Sequence, residues 1–316
     1  TINPIIQFGA VPVFVDIDIN THNIDATKIE EAITSKTKAI MLAHSLGNPF
    51  DLEKVKSICT KYNLWLIEDC CDALGSTYAG RKVGTFGDLA TLSFYPAHHI
   101  TMGEGGAVLT NNLKLKKIAD SFRDWGRDCF CSTGKDNTCG KRFTWTSKRL
   151  GGNLPDGYDH KYIYSHLGYN LKISDMQAAC AFAQMEKLEG FIRKRQENFE
   201  YLKSELSVLN DYLTLPEATP NSKPSWFGFP MVMQDKSPVA RVKLLEYLTE
   251  KRIGTRLLFA GNVTKQPYME NQTYRIANNL KNTEIAMNST FWIGVFPGLE
   301  KDHLDYVVTQ LKNYFV

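Results

Sequence analysis

Short apolar runs alternate with helix-like segments through the first 125 positions of the chain. VPVFVDI (11–17), KAIMLAH (38–44), LWLIED (64–69), LATLSFY (89–95) and GGAVLT (105–110) each have the length and composition of a strand. Between them, DATKIEEAITS and DLEKVKSICTKYN carry apolar residues at helical spacing, and Leu113 to Trp125 repeats the pattern. Asp25 stands where a helix N-cap belongs. Strands alternating with helices predict βαβ units and a mostly parallel, covered sheet. Functional residues are then expected at the C-terminal ends of strands.

From Gly126 to Asn170 the periodicity lapses. The stretch is rich in glycine, lysine and aromatic residues, and it holds three of the seven cysteines within eleven positions. A long irregular segment in a compact domain is commonly functional, and the clustered cysteines favour that reading. Ser174 to Leu209 predicts one long amphipathic helix. FGFPMVM and GTRLLF predict strands, and SPVARVKLLEYLTEKRI and LEKDHLDYVVTQLKNYF predict helices. The expected organisation is a large cofactor-binding domain over residues 1–173, then a connecting helix and small C-terminal domain over 174–316. The chain opens on TINPIIQFGA, without methionine, and meets an apolar strand almost at once. That is the pattern of a domain's middle, so a preceding segment is expected.

Composition narrows the classes. With 316 residues, 43% hydrophobic and 22% charged, the chain suits a globular protein of one large and one smaller domain. A net charge of +3 and a pI of about 8.3 are too mild to imply nucleic acid or an anionic membrane as partner. No apolar run reaches the roughly 18 residues of a membrane span, and no secretory leader opens the chain. A cytoplasmic location is expected, where cysteines serve packing, metal binding or catalysis more often than disulfides.

The candidate chemistry begins at LWLIEDCC, which ends a buried strand on Glu68 and Asp69. An aspartate there is either a solvated strand end or an anion for a pyridinium nitrogen, keeping such a ring protonated as an electron sink. Ser93 ends the next strand, and its hydroxyl suits a phosphate oxygen. Tyr95 is either a packed aromatic or a hydrogen-bond partner for cofactor or substrate. His98 follows, beside His99, in SFYPAHHITMGEGG.

GAVPVFVDID, LIEDCCDALGS, GTFGDLATLSFYPAHHITMGEGGAVLT and GYNLKISDMQAA resemble, in order and spacing, the DegT-type sugar aminotransferases of the aspartate-aminotransferase superfamily. The resemblance spans essentially the whole chain. It implies the α/β fold type I of PLP-dependent transferases: a mostly parallel central sheet flanked by helices, plus a small α/β C-terminal domain. It also implies a homodimer with shared active sites. The family's glycine- and serine-rich phosphate loop is not in this sequence. By resemblance, Asp69 is the pyridinium partner, Ser93 a phosphate ligand, and Asn170 a phosphate contact given by the second subunit. Asp72 stands where many relatives have glutamine near the ring.

His98 falls on the position of the family's Schiff-base lysine. Imidazole has no primary amine, so pyridoxamine 5′-phosphate (PMP, the amine form of PLP) is expected to be held without a covalent bond. Histidine titrates near neutrality and suits a base. Within the family, such a histidine marks 3-dehydratases, which expel the C3 hydroxyl of 4-keto-6-deoxy nucleotide sugars. The expected catalytic set is His98, Tyr95 and Asp72.

Cys71, Cys129, Cys131 and Cys139 form C-x57-C-x-C-x7-C. Four thiolates suit a [2Fe–2S] cluster, with structural zinc or unligated thiols as alternatives. The spacing resembles the family's iron–sulfur branch. That resemblance implies a CDP-linked 4-keto-6-deoxy-D-glucose substrate, dehydration followed by reduction, and an NADH-dependent flavin and iron–sulfur reductase as partner. The products of that branch lead to 3,6-dideoxy sugars of bacterial surface polysaccharide. A glutamate-recycled branch acting on a GDP-linked sugar shares His98 and does not need the cysteines, and a non-catalytic relative is a third reading. Cys59 and Cys180 are expected to pack, and Cys70 has no assigned role. Arg256 and TKQP (264–267) are candidate contacts to the nucleotide sugar.

Overall fold

The computed structural model describes residues 1–131, 134–146 and 153–315. Ala39–Ala43, Trp65–Asp69, Leu89–Ser93 and Gly106–Leu109 form one sheet in that spatial order. The first three strands are parallel, with Ala43 beside Asp69 and Asp69 beside Thr91. The fourth is antiparallel and sets Gly106 against Ser93. No crossover helix separates it from Leu89–Ser93, so it can only return in the opposite direction. Leu52–Tyr62 covers this sheet. Asp51 caps it by accepting from the Lys54 N–H at 2.9 Å, and Val55, Ile58 and Cys59 pack with Ile40, Leu66 and Ala90. Cys59 is thus a core residue, as expected. Asp25 does cap, but what it opens is a short 3₁₀ turn, Ala26–Lys28, running into the single helical turn Ile29–Ala32.

The strand expected over 11–17 narrows to Val13–Phe14, which pairs in parallel with Arg275–Ile276 and does not join the N-terminal sheet. Just beyond it, Asp16 turns inward and is 1% exposed. Its carboxylate accepts from the Asn282 N–H at 3.0 Å and from the Thr283 N–H and hydroxyl, both at 2.8 Å. It therefore caps helix Lys281–Ser289 from across the chain, where Leu280 offers no side-chain cap. Asp16→Ala is expected to cost about 2 kcal/mol, since three donors at a helix N-terminus lose their acceptor. A urea midpoint unchanged from wild type would contradict this.

Thr255–Leu257, Thr290–Gly294, Gly228–Met233 and Leu213–Thr214 make the second sheet, antiparallel throughout. Every residue of Gly228–Met233 is buried. Its core joins Phe229, Met231 and Phe291 to Phe199, Leu202 and Leu206, and to Leu304, Val308 and Leu311 of helix Lys301–Phe315. Helix Lys281–Ser289 and strand Thr290–Gly294 have no counterpart in the sequence expectation, although FWIGVF is a strand-length apolar run.

The long helix expected over 174–209 breaks into Asp175–Met185 and Leu188–Leu206. Ser174 caps the first piece through a reciprocal capping box with Gln177. That first piece buries no residue, so Cys180 is exposed and does not pack. The second buries a stripe, Leu188, Ile192, Arg195, Phe199, Leu202 and Leu206. Ile192 packs with Ile100 beside the N-terminal sheet, while Phe199 onward belongs to the C-terminal core, so this helix serves both halves.

The segment 126–170 holds no strand or α-helix among the described residues, yet its ends are laced together. The Trp125 N–H donates to the Tyr169 carbonyl at 2.7 Å and the Ser165 N–H to the Gly126 carbonyl at 2.9 Å. A Cβ on Gly126 would lie 1.9 Å from the His166 carbonyl oxygen, and φ there is +80°. Only glycine closes that crossing. Trp145, His160 and Ile163 are buried, and His160 Nε2 lies 2.7 Å from Asp128 Oδ2. This is a loop whose ends meet and whose own side chains pack it. No helix among the described residues is long and apolar enough to cross a membrane.

Candidate active site

Parallel pairing delivers Asp69 and Ser93 to the same edge of the sheet, at the ends of neighbouring strands. After Ser93 the chain turns, and the His98 N–H donates to the Tyr95 carbonyl at 2.9 Å. The turn brings His98 Nε2 within 3.4 Å of Asp72 Oδ1, the two side chains being 16% and 17% exposed. The Phe227 ring meets the imidazole edge-on at 5.3 Å, and the Tyr95 ring lies 5.9 Å away. Tyr95 itself is half exposed, at 49%.

The electrostatics of this group are uneven. Burial, reinforced by the negative charge of Asp69, pushes the Asp72 carboxyl up to about 7. Burial moves His98 the other way and holds the imidazole below its ordinary value. An acid raised and a base lowered toward each other exchange a proton readily near neutrality. Asp69 behaves differently. Burial raises it, but Oδ1 accepts from the Cys71 N–H at 3.2 Å and Oδ2 from the Thr1 hydroxyl at 2.7 Å. The balance leaves it below the usual carboxylate range, an anion at neutral pH.

Ser93 Oγ accepts from the Tyr95 N–H at 3.3 Å and keeps capacity for a further partner. Asn170 is exposed at the far end of the 126–170 segment, where its backbone bridges Asp124. Among the described residues, no hydrogen bond joins it to Asp69 or Ser93. Arg256 is exposed, its guanidinium turned to the Thr255 carbonyl, and Lys265 of TKQP pairs with Glu284 at 2.6 Å. Neither is bonded to the residues around His98.

Cys129, Cys131 and Cys139 are near neighbours. Hydrogen bonds led by the Thr138 hydroxyl, with the N–H groups of Thr138 and Cys139, pull the Cys131 thiol down to about 7. Burial raises Cys129, which also feels Cys131 and Cys139. Cys71 has its sulfur 3.8 Å from the Thr91 hydroxyl, and its thiol is pushed up to about 12 by burial and Asp69. The fold gathers the loop thiols, and Cys71 sits beside Asp69. Among the described residues, the cluster of potential ligand atoms within 4.8 Å is a different one: His44, Glu68 and Cys70, all buried. Its carboxylate is already saturated, accepting from the N–H groups of Gly84 at 2.7 Å, Phe86 at 2.8 Å and Gly87 at 2.6 Å, with His44 Nε2 at 3.2 Å. That is a structural anion.

Sequence reasoning missed Arg195. It is 3% exposed, and its Nη1 donates to the carbonyls of Trp226 at 3.1 Å and Phe227 at 3.4 Å. The signal was its register on the stripe of Leu188, Ile192 and Phe199.

The residues present fit a pyridoxal-type cofactor: an ionised carboxylate at one strand end, a hydroxyl with spare capacity at the next, and a buried His98 Nδ1 without a partner among the described residues. Comparison with known proteins points the same way. The model of the DegT/DnrJ/EryC1/StrS aminotransferase family matches residues 1–312. The lipopolysaccharide biosynthesis protein RfbH of Salmonella typhimurium is 62% identical over 315 residues, spanning 100% of this chain and 71% of that protein. The dTDP-4-dehydro-2,6-dideoxy-D-glucose 3-dehydratase of Saccharopolyspora spinosa is 52% identical over 314 residues, spanning 99% and 67%. An E. coli GDP-4-keto-6-deoxy-D-mannose-3-dehydratase, solved with bound hydrated PLP, aligns with a TM-score of 0.84 and 30% identity over 98% of this chain and 76% of that one. The fold is the PLP-dependent aminotransferase-like α/β fold, with a mixed sheet. The chain belongs to the DegT/DnrJ/EryC1/StrS aminotransferase family.

Proposed function

We propose that this protein is a nucleotide-sugar 3-dehydratase that holds PMP non-covalently and removes the C3 hydroxyl of CDP-4-keto-6-deoxy-D-glucose. The reaction would feed deoxysugar and lipopolysaccharide synthesis. The observation that carries the reading is the Asp72–His98 pair, an imidazole with a matched acid partner at the family's lysine position. Asp69 would hold the pyridinium nitrogen and Ser93 the phosphate, with Asn170 contributed by a second copy. When bound, the cofactor supplies an amine that condenses with a ketone and a ring that takes up electron density. His98 Nε2 takes up the proton released beside that amine, and Asp72 Oδ1, 3.4 Å away, steadies the imidazolium. The same pair returns the proton to the departing C3 hydroxyl, which leaves as water. Phe227 and Tyr95 screen the imidazole from solvent on two sides.

The further reading is that Cys71, Cys129, Cys131 and Cys139 would hold a [2Fe–2S] centre, whose chemistry would be to pass single electrons from an NADH-dependent flavin and iron–sulfur reductase. Three of these thiols, Cys129, Cys131 and Cys139, already influence one another. The 52% relative is named for a dTDP-linked substrate, and 31% relatives for a GDP-linked one. The nucleotide is therefore the variable to test.

The experiment uses anaerobically purified protein. Iron and acid-labile sulfide are measured, an EPR spectrum is taken after dithionite, and CDP-, dTDP- and GDP-linked 4-keto-6-deoxy sugars are offered with reductase or with glutamate. About two irons and two sulfides per chain, with reductase-dependent deoxygenation of the CDP sugar, are expected. An iron-free protein forming 2-oxoglutarate from glutamate with the GDP sugar would replace this reading with the glutamate-recycled one. No turnover of any 4-keto sugar by folded, cofactor-loaded protein would favour a non-catalytic relative.

A further inference from the structure

Behind His98 lies a buried array that the reaction as described does not use. Arg195 projects from helix Leu188–Leu206 into the interior, 3% exposed, and among the described residues it has no carboxylate within 4.0 Å. Its Nη1 donates to the carbonyls of Trp226 and Phe227, and its guanidinium carbon lies 5.8 Å from the Phe227 ring centroid. The same short segment is tied down from other sides. His99 Nε2 donates to the Ser225 carbonyl at 2.9 Å, the Ser225 N–H donates to Ser76 Oγ at 2.7 Å, and the Phe227 N–H donates to the Leu46 carbonyl at 2.8 Å. At Gly47, with φ +90°, a Cβ would lie 2.1 Å from the Ser225 carbonyl oxygen, so the backbones are in contact there. Phe227 is the residue of this segment that reaches the active site, with its ring edge-on against His98 at 5.3 Å.

We propose that Arg195 is a positioning residue for His98: by fixing the Trp226–Phe227 backbone and placing an unpaired buried cation behind the Phe227 ring, it keeps the imidazole oriented toward Asp72 and in its uncharged form. An arginine held only by carbonyl oxygens retains its full charge, and in a dry environment that charge reaches several ångströms. The groups that bear on His98 are Asp72 and Asp69 from the end of strand Trp65–Asp69 and the turn after it, Tyr95 and His99 from its own turn, and Arg195 from the helix. The Ser93 backbone and the Asp69 charge favour an imidazolium, whereas burial and Arg195 oppose it; Arg195 also lowers Asp72, which in turn raises Arg195. His99 is held neutral by burial, down to about 3. Arg195 is itself lowered by burial to about 10, so it stays cationic throughout the neutral range.

The test is the titration of the His98 ring, followed by NMR on the substrate-free protein and assigned with His98→Asn. Arg195→Met removes the cation, and the His98 titration is expected to move up by about one pH unit. Arg195→Lys keeps the charge and is expected to leave the titration close to wild type. The acid limb of the dehydration rate should shift in step with the Met variant and not with the Lys variant. A folded Arg195→Met protein whose His98 titrates as in wild type would overturn the proposal. Should the Met variant fail to fold, Arg195→Gln carries the test: it keeps a donor for the Trp226 and Phe227 carbonyls while removing the charge, so the His98 titration should again rise, and an unmoved titration overturns the proposal. The proposal rests on His98 being the base of the proposed reaction, but the titration needs no substrate. A shift in a protein that turns over no 4-keto sugar would leave the positioning intact and retire the dehydratase reading.

Discussion

In His98→Asn, loss of the C3 hydroxyl is expected to slow by roughly 10²- to 10⁴-fold, the usual contribution of a positioned acid–base group. Asparagine keeps much of the shape and one polar contact toward Asp72, but it cannot take up a proton at neutral pH. PMP binding should survive, because Asp69 and Ser93 are untouched. In wild type the rate is expected to rise as His98 deprotonates, at a pH below the ordinary imidazole value, and to go on rising as Asp72 ionises near 7 and can steady the imidazolium. The two groups are in contact, so the limbs belong to the pair. The variant should lose the acid limb along with its rate. A His98→Asn enzyme with more than a tenth of wild-type kcat and the same pH profile would remove His98 from the chemistry.

The second large effect is on the fold. Glu68→Ala is expected to destabilise the protein by about 3–5 kcal/mol, in the range found when one partner of a buried charged network is removed. Glu68 is fully buried and holds the N–H groups of Gly84, Phe86 and Gly87 besides His44. Those N–H groups belong to the turn that leads into strand Leu89–Ser93, so the loss should also loosen Ser93. Burial raises this carboxyl, yet the hydrogen bonds from His44, Gly84 and Gly87 bring it below its ordinary value. A depressed carboxylate stabilises the native state above its unfolded pKa, about 4.3, and the benefit is lost as pH falls through the lower folded value. Urea unfolding at pH 7 and near pH 4 checks both points. A wild-type midpoint for the variant at pH 7 would show that the network does not support the fold.

Much of the N-terminal half was legible because each element carries its own local signal. KAIMLAH, LWLIED and LATLSFY are short apolar runs closed by polar residues, and each became a strand of the N-terminal sheet. Asp51 and Ser174 are capping residues with the donors they need within one turn. Val11 to Ile17 misled because apolar length says nothing about a partner. Only Val13 and Phe14 pair as a strand, with residues 262 positions away, while Ile17 makes just an isolated bridge to Ile24. The expected single helix after Ser174 failed for a related reason. Helical spacing continues through Glu186 and Lys187, but the helix stops at Met185 and a new one starts at Leu188, and only the second buries an apolar stripe. Cys180 was misjudged with it, since Asp175–Met185 buries no residue and leaves the thiol exposed.

The candidate site divides along the same line. Asp69 and Ser93 were predictable as strand ends of a parallel sheet, and His98 through its place in a recognisable block. Asp72 was placed by resemblance, but its acidity was not, because that depends on burial and on a neighbouring anion. Arg195 was overlooked because it directly follows Arg193 and Lys194, and the three look like a solvated basic run. One residue's shift around the helix puts it, alone of the three, among the buried residues.

By itself the sequence determined the alternation of strands and helices, the family, and the chemical identity of the group at position 98. These follow from local spacing and from side-chain type, which need no partner to be defined. The tertiary structure alone decided that Asp72 sits 3.4 Å from that imidazole, that Glu68 is a saturated structural anion, and that a buried arginine stands behind Phe227. Each depends on contacts between residues far apart in the chain, where burial and neighbouring charges, more than residue identity, set the protonation state.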